Sequence, residues 1–422
     1  MRGWARQLDL FKTPETRRLA LLFAGVYFAQ GMWYLPNQTI IIVLKDRGLS
    51  AGQVATFFTI TTVPWLLKPA YGLLSDFVPL FGRRRQSYFL LTTALAGLTG
   101  IVLGLLPEHP YATLAALVTA MGFGLAFTDV LTDALMVENG RRHRLTGAFQ
   151  SVQWAAVYAA AILVGVLGGH FAEGRALDSA FLTAAVFPIA SLVMAFIFVR
   201  EAPASADARA FRETWIAVRE ALGRRVVWLV GGFIFFFVFS PSFGPALLYY
   251  QTDTLGFGQH FIGVLGALGS VGAIAGALTY APASRRAPLR RLINLSIGLS
   301  AVTTIIYLAY VGPWSAIVIE VIYGWAYMFT TLALLDLAAK TCPPRVEATF
   351  FALLTAVYNG GAQASQVAGG YLYDWFGYTP LVIISTVTTA LVWILVPLVP
   401  IDRIDAEARA AAADVEETAT AD

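Results

Sequence analysis

Apolar runs of about twenty residues, each closed by a short charged cluster, recur along the whole chain. A run of that length crosses a bilayer as a helix. Lipid offers backbone amides no partner, so each segment must satisfy its own, and helices are predicted rather than strands. Composition agrees. Of 422 residues, 58% are hydrophobic and 13% charged, whereas soluble domains carry roughly 25% charge. The prediction is an all-α membrane protein with twelve transmembrane helices. They are read at roughly 18–44, 52–75, 86–106, 111–138, 145–171, 178–199, 226–252, 260–281, 290–311, 314–339, 347–373 and 377–400.

The loops set an orientation, because cytoplasmic loops carry an excess of Lys and Arg. With the N-terminus inside, 25 of the 29 basic residues fall in inner loops and tails, and Lys45, Arg47 and Arg175 fall outside. One remains, Lys68, which no loop can claim. One missed span would scramble this pattern, so the count and the orientation support each other. The first apolar block is long and follows five basic residues, which reads as a retained span and not a cleaved signal.

Residues 1–17 form the cytoplasmic N-terminus, 18–199 a first six-helix half and 226–400 a second. The inner linker 200–225 divides them. Ser205–Asp207 offers a helix start. Phe211, Trp215, Val218 and Leu222 then recur at helical spacing, opposite Arg212, Glu213, Arg219 and Glu220. That pattern predicts an amphipathic helix on the inner membrane surface or, more plainly, a spacer. The tail 401–422 is Ala-rich and acidic, and is expected to be disordered. Spans 4 and 10 echo each other through Phe127-Thr128 and Phe329-Thr330, each followed by an acid, Asp133 and Asp336. Two six-helix halves joined by a long inner linker are the parallel-repeat architecture of the major facilitator superfamily, with a substrate site expected near the midplane.

Small net charge (+3) gives no reason to expect a nucleic-acid partner, and the single cysteine, Cys342, excludes an internal disulfide and a Cys-based metal cluster. No metal or cofactor is expected. The informative residues are polar groups inside spans, where an ionisable side chain costs at least about 2.5 kcal/mol. Lys68 lies in span 2 between Pro64 and Pro69. It reads as a counter-charge for an anionic substrate or as half of an ion pair with an acid of span 4. Asp129 and Asp133, four apart on span 4, share a helix face. Two like charges there would repel, so one carboxyl is suited to hold a proton. Glu320 in span 10 is a third proton-coupling candidate. Asp76, Arg83, Arg84, Glu138, Arg141 and Asp336 sit at inner span ends and read as inner-gate ion pairs.

Uncharged amides mark spans 1, 5 and 11: Gln30, Asn37 and Gln38; Gln150 and Gln153; Asn359, Gln363 and Gln366. The last three form one helical stripe. Helix–helix hydrogen bonding is the plainer alternative to substrate contact. Trp154, Tyr158 and Tyr358 lie on the same helices and offer stacking faces.

With these residues in place, the chain resembles the folate–biopterin transporter family of the major facilitator superfamily. Residues Pro64-Trp65-Leu66-Leu67-Lys68-Pro69-Ala70-Tyr71-Gly72-Leu73-Leu74-Ser75-Asp76 with Gly82-Arg83-Arg84-Arg85 are similar to its span 2 and following loop. Thr128-Asp129-Val130-Leu131-Thr132-Asp133-Ala134-Leu135-Met136-Val137-Glu138 resembles its span 4. Leu255-Gly256-Phe257 with Phe261-Ile262-Gly263, and Glu347-Ala348-Thr349-Phe350-Phe351-Ala352-Leu353-Leu354 with Asn359, resemble the starts of spans 8 and 11. The resemblance implies import of folates or pterins, coupled to protons, with Lys68, Asp129 and Asp133 in the pathway. Where relatives often have Pro before the Tyr, this chain reads Arg85-Gln86-Ser87-Tyr88.

The reading is a membrane transporter of a small organic anion, first a folate or pterin, working by alternating access as a monomer. Lys68, Gln30, Asn37, Gln150, Gln153, Trp154, Asn359 and Gln363 are its candidate substrate contacts. Transport of another amphipathic solute, such as a peptidoglycan fragment or drug-like compound, is the alternative. A membrane enzyme or sensor is disfavoured, since no nucleophile elbow or metal cluster is visible. Four Lys against 25 Arg hint at a GC-rich genome and a bacterial inner membrane.

Overall fold

The computed structural model describes residues 11, 13–143, 145–199, 201, 208–342 and 347–410. Its helices are α1 Pro14–Met32, α2 Asn37–Asp46, α3 Ala51–Leu66, α4 Lys68–Phe77, α5 Gln86–Leu105, α6 Tyr111–His143, α7 Thr146–Glu173, α8 Leu177–Phe198, α9 Ala208–Leu222, α10 Arg225–Val238, α11 Gly244–Tyr249, α12 Gln259–Arg286, α13 Leu289–Ile305, α14 Pro313–Thr341, α15 Glu347–Phe376, α16 Tyr378–Leu391 and α17, residues 401–410. Among the described residues the only extended pairing is an isolated bridge, Leu80 to Arg83.

Nine helical spans among the described residues are long and apolar enough to cross a membrane, and a bent pair from α9 and α10 raises the number to ten. The twelve expected are not all met, for local reasons. Span 2 is broken at Leu67, because Pro69 has no N–H to continue the helix. Span 7 is interrupted after α10 by a non-helical stretch, residues 239–243, with Pro241 inside it and Pro245 in the first turn of α11. Span 11 is α15, long enough at 30 residues but crossed by its own amides.

The chain forms two compact units. The first comprises residues up to Leu49, Phe57–Phe211 and Phe257–Ala267; the second comprises Ser50–Thr56, Arg212–Gly256 and everything from Leu268. In the first, Thr13 and Thr16 cap α1 reciprocally, with N–H to Oγ1 distances of 3.1 and 3.2 Å. Its core gathers Phe23, Tyr27, Phe89, Phe127, Leu131 and Phe149. Helices α5 and α8 approach closely through Gly97, Gly100 and Gly104. A Cβ on Gly104 would lie 2.4 Å from the Leu182 side chain. Small residues are what bring helices together where lipid offers no hydrophobic drive.

In the second unit the core runs from Val230 and Phe233 on α10 to Leu334 and Leu337 on α14, with Ile293 of α13. Gly324 sets α14 against α12, since a Cβ there would meet the Gly269 carbonyl oxygen at 2.0 Å. Asp374 of α15 caps the start of α3: its carboxylate accepts the Ser50 hydroxyl at 2.6 Å and the Ala51 and Gly52 amides at 3.1 and 2.9 Å.

The linker helix is present as α9; its expected start, Ser205–Asp207, lies outside the described residues. Val218 packs against Val227 and Phe350 while Trp215 stays exposed. The tail departs from expectation. Residues 401–410 are helical, because Ile401 and Ile404 bury into the second core and Asp405 accepts the Leu289 amide at 3.2 Å. Residues 411–422 lie outside the described part.

Candidate functional site

The break at Leu67 determines where the isolated cation goes. Leu67 turns out of the helical region (φ −89°, ψ 3°), and Lys68 becomes the first residue of α4. The unpaired amides of a helix start are themselves electropositive. Ammonium and helix start together concentrate positive charge in the interior of the first unit, where a carboxylate is the natural complement. Lys68 Nζ donates to Asp129 Oδ2 and lies 4.7 Å from the Trp65 ring centroid. The pair is largely withdrawn from solvent, with side-chain exposures of 19% for Lys68 and 9% for Asp129.

Asp133, one turn along α6, has a different partner. The Tyr27 hydroxyl of α1, itself 1% exposed, donates to its Oδ1. Two carboxylates on one face thus meet one cation and one neutral donor. Gln30, one turn after Tyr27, is buried and its Nε2 has no partner among the described residues. A buried unpaired amide is costly, and no described residue offsets that cost for Gln30.

After α4, Arg85 makes ion pairs of the kind expected of its neighbours Arg83 and Arg84. It meets Glu138 and, at 3.4 Å, Asp76, while its main-chain amide donates to Glu201 at 2.8 Å. Arg83 turns to Gln86, and Arg84 is exposed. The Arg141 side chain lies outside the described part. In the second unit, Asp336 accepts from Tyr280 at 3.1 Å and Lys340 at 3.0 Å, and Lys340 also reaches Asp405 at 3.0 Å.

The amides scatter. Gln150 is exposed, Gln153 is half-buried, and Trp154 is 38% exposed and stacked on Tyr158 at 6.0 Å. Asn37 is half-buried at the start of α2, while Gln38 donates to the Gln259 carbonyl at 2.8 Å. Asn359 and Gln363 are half-buried on α15, and Gln363 Oε1 is buried with no partner among the described residues.

Residue Glu320 lines a cavity of about 370 Å³ in the second unit, between α10, α11, α13, α14, α15 and α16. The break after α10 forms part of its wall. There Ser242 N–H donates to the Ser365 carbonyl at 3.1 Å, and Ser240 Oγ lies 2.8 Å from Thr389 Oγ1. Glu320 Oε1 accepts the Tyr310 hydroxyl at 3.2 Å, and that hydroxyl accepts Gln251 Nε2 at 2.5 Å. Neither Tyr310 nor Gln251 was singled out by sequence.

Among the described residues no group of three or more His, Cys, Asp or Glu could hold a metal ion. What the two units offer is charge and hydrogen-bonding capacity buried among their helices.

Comparisons with known proteins agree with this picture. The model of a family described as the BT1 family matches residues 29–418. A folate-biopterin transporter of Synechocystis sp. is 31% identical over 406 residues, covering 90% of this chain and 81% of the relative. Folate transporter 2 of Plasmodium falciparum is 22% identical, covering 82% and 78%. Among solved structures, a POT family transporter in complex with 5-aminolevulinic acid matches with TM-score 0.73 and 14% identity, over 92% of this chain and 96% of that one. A D-xylose–proton symporter gives TM-score 0.68 at 13% identity, covering 92% and 98%. At such identities the likeness concerns the fold, which is that of major facilitator-type transporters.

Proposed function

The chain belongs to the BT1 family, and from that premise we propose that it is a secondary membrane transporter carrying a folate or pterin by alternating access. The observation that carries this reading is the Lys68–Asp129 pair at the break between α3 and α4. Ionisable groups inside a membrane mark substrate and ion pathways. A substrate carboxylate that takes Asp129's place on Lys68 keeps the ammonium paired. The displaced Asp129 then carries charge beside Asp133, and one of the two takes up a proton. Substrate and proton thereby bias the same conformational equilibrium, which is the condition for coupling. Gln30 supplies a further donor to the substrate.

In this reading both termini are cytoplasmic, the protein is a monomer in a bacterial inner membrane, and Asp76, Arg85 and Glu138 latch the inner end. The names of its relatives support the substrate class. The test is thermal stabilisation of the purified protein by folates, pterins, muropeptides and sugars. A selective shift with a folate or pterin is expected. A shift only with a muropeptide or sugar, or none at all, contradicts the assignment.

A further inference from the structure

We propose that the cavity of the second unit seats a flat, uncharged nitrogen heterocycle, with Glu320 accepting adjacent N–H groups from its edge. This rests on the folate or pterin reading and deepens it by assigning the ring a recognition site.

The lining of the cavity holds one carboxylate, Glu320, and no Lys, Arg or His. Its volume of about 370 Å³ falls in the range of small-molecule sites, roughly 300–1,000 Å³. An anionic group would be repelled there. A carboxylate buried at membrane depth without a cation needs donors instead. Tyr310 supplies one at 3.2 Å and Tyr307 a second. An ionised carboxylate has about four acceptor sites across its two oxygens, so capacity remains for a ligand.

The walls are flat. Tyr323 and Tyr327, one turn apart on α14, have ring centroids 6.2 Å apart and planes inclined by 22°. Tyr358 approaches from α15, its hydroxyl held near Thr331 at 3.2 Å and Tyr327 at 3.5 Å. Such faces stack on a planar ring and add little to the binding of a flexible aliphatic solute. Gln366, also in the lining, can both donate and accept, which suits a ring carbonyl or ring nitrogen.

A 2-amino-4-oxopyrimidine edge, as in pterins, presents an exocyclic amino N–H beside a ring N–H. Two parallel donors match the two oxygens of one carboxylate in the same fork geometry by which a guanidinium binds one. A 2,4-dioxo ring of the same shape sets a carbonyl oxygen against the carboxylate. Glu320 is therefore assigned a recognition task in addition to, or in place of, the proton-coupling one expected from sequence.

The experiment is calorimetric titration of the full-length protein, reconstituted in nanodiscs, with 6-methylpterin, its 2,4-dioxo counterpart 6-methyllumazine, folate and p-aminobenzoylglutamate. Wild type is expected to prefer the pterin over the lumazine by at least about tenfold, as sites that hydrogen-bond a ligand reject mismatched analogues. Glu320→Gln should collapse that ratio and leave p-aminobenzoylglutamate affinity unchanged. The wild-type comparison needs no variant, so it decides even if Glu320→Gln does not fold. Equal affinity of wild type for the two rings, with folate still bound, overturns this assignment alone. A ratio retained in a folded Glu320→Gln protein also overturns it alone. A wild-type protein that binds neither folate nor pterin overturns the substrate reading and this assignment together.

Discussion

Lys68 donates to Asp129 across the break between α3 and α4, while Asp133, one turn along the same helix, is held by the Tyr27 hydroxyl and not by the lysine. This asymmetry gives the two aspartates different tasks. Asp129 is the exchangeable partner of the cation. Asp133 is paired to a neutral donor, which tolerates either protonation state.

Lys68→Ala is therefore expected to abolish uptake and to lower stability, since an unpartnered buried carboxylate costs about 3–5 kcal/mol. The double variant Lys68→Met with Asp129→Leu should recover stability without recovering uptake. Thermal unfolding and proteoliposome uptake, measured on the same preparations, separate the two effects. Normal uptake by Lys68→Ala would remove the lysine from the mechanism.

The two aspartates should part in exchange assays. Asp133→Asn keeps a hydrogen-bond acceptor for Tyr27 but loses the titrating group. It should permit substrate exchange without a proton gradient while losing gradient-driven accumulation. Asp129→Asn should lose substrate exchange as well, because without its carboxylate nothing displaces the bound substrate from Lys68. Full accumulation by both variants would exclude either as the coupling site.

Arg85→Ala should slow transport at least about tenfold more than Arg83→Ala or Arg84→Ala, because among the described residues Arg85 alone joins Asp76 to Glu138. Stability should move little, since the acidic partners Asp76 and Glu138 are solvent-exposed and such pairs contribute about 0–1 kcal/mol each. Uptake rates of the three alanine variants, at matched protein levels, decide it.

The tail helix gives a pH prediction outside the membrane. Burial pushes the Asp405 carboxyl up, but Arg409, Lys340 and the Leu289 amide outweigh it and hold it below the ordinary carboxylate range. A depressed native value means that its stabilisation is complete above about pH 4, the unperturbed carboxylate value, and is lost as pH falls through the native one. Hydrogen exchange in residues 401–410 should show constant protection from neutral pH down to about pH 5 and loss in more acid solution. Asp405→Asn should weaken that protection by about 1–3 kcal/mol at neutral pH. Protection indifferent to both acid and the substitution would contradict the anchor.

Much of this was legible in the sequence, for physical reasons that also explain what was not. Lys68 was visible because a lone cation among apolar residues has no loop to claim it, and Pro64 and Pro69 announced a disturbed helix. Asp129 was visible as an acid one could pair with it. Tyr27 was not, because a phenol in an apolar helix carries no periodic signal until its neighbour across the core is known. Three consecutive arginines could not reveal that Arg85 is the one turned inward. Glu320 stood out by charge, but Tyr310 and Gln251 come from separate elements that only packing brings together. Helix 401–410 was hidden because two isoleucines are too few to outweigh an Ala-rich, acidic tail in any window.

The central claim is tested most directly by uptake of labelled folate and biopterin into proteoliposomes holding the purified protein, with and without an imposed proton gradient. The account predicts saturable uptake of at least one of them, raised by the gradient and absent in Lys68→Ala. Uptake of neither, by a protein that transports another solute through the same Lys68-dependent route, would contradict it.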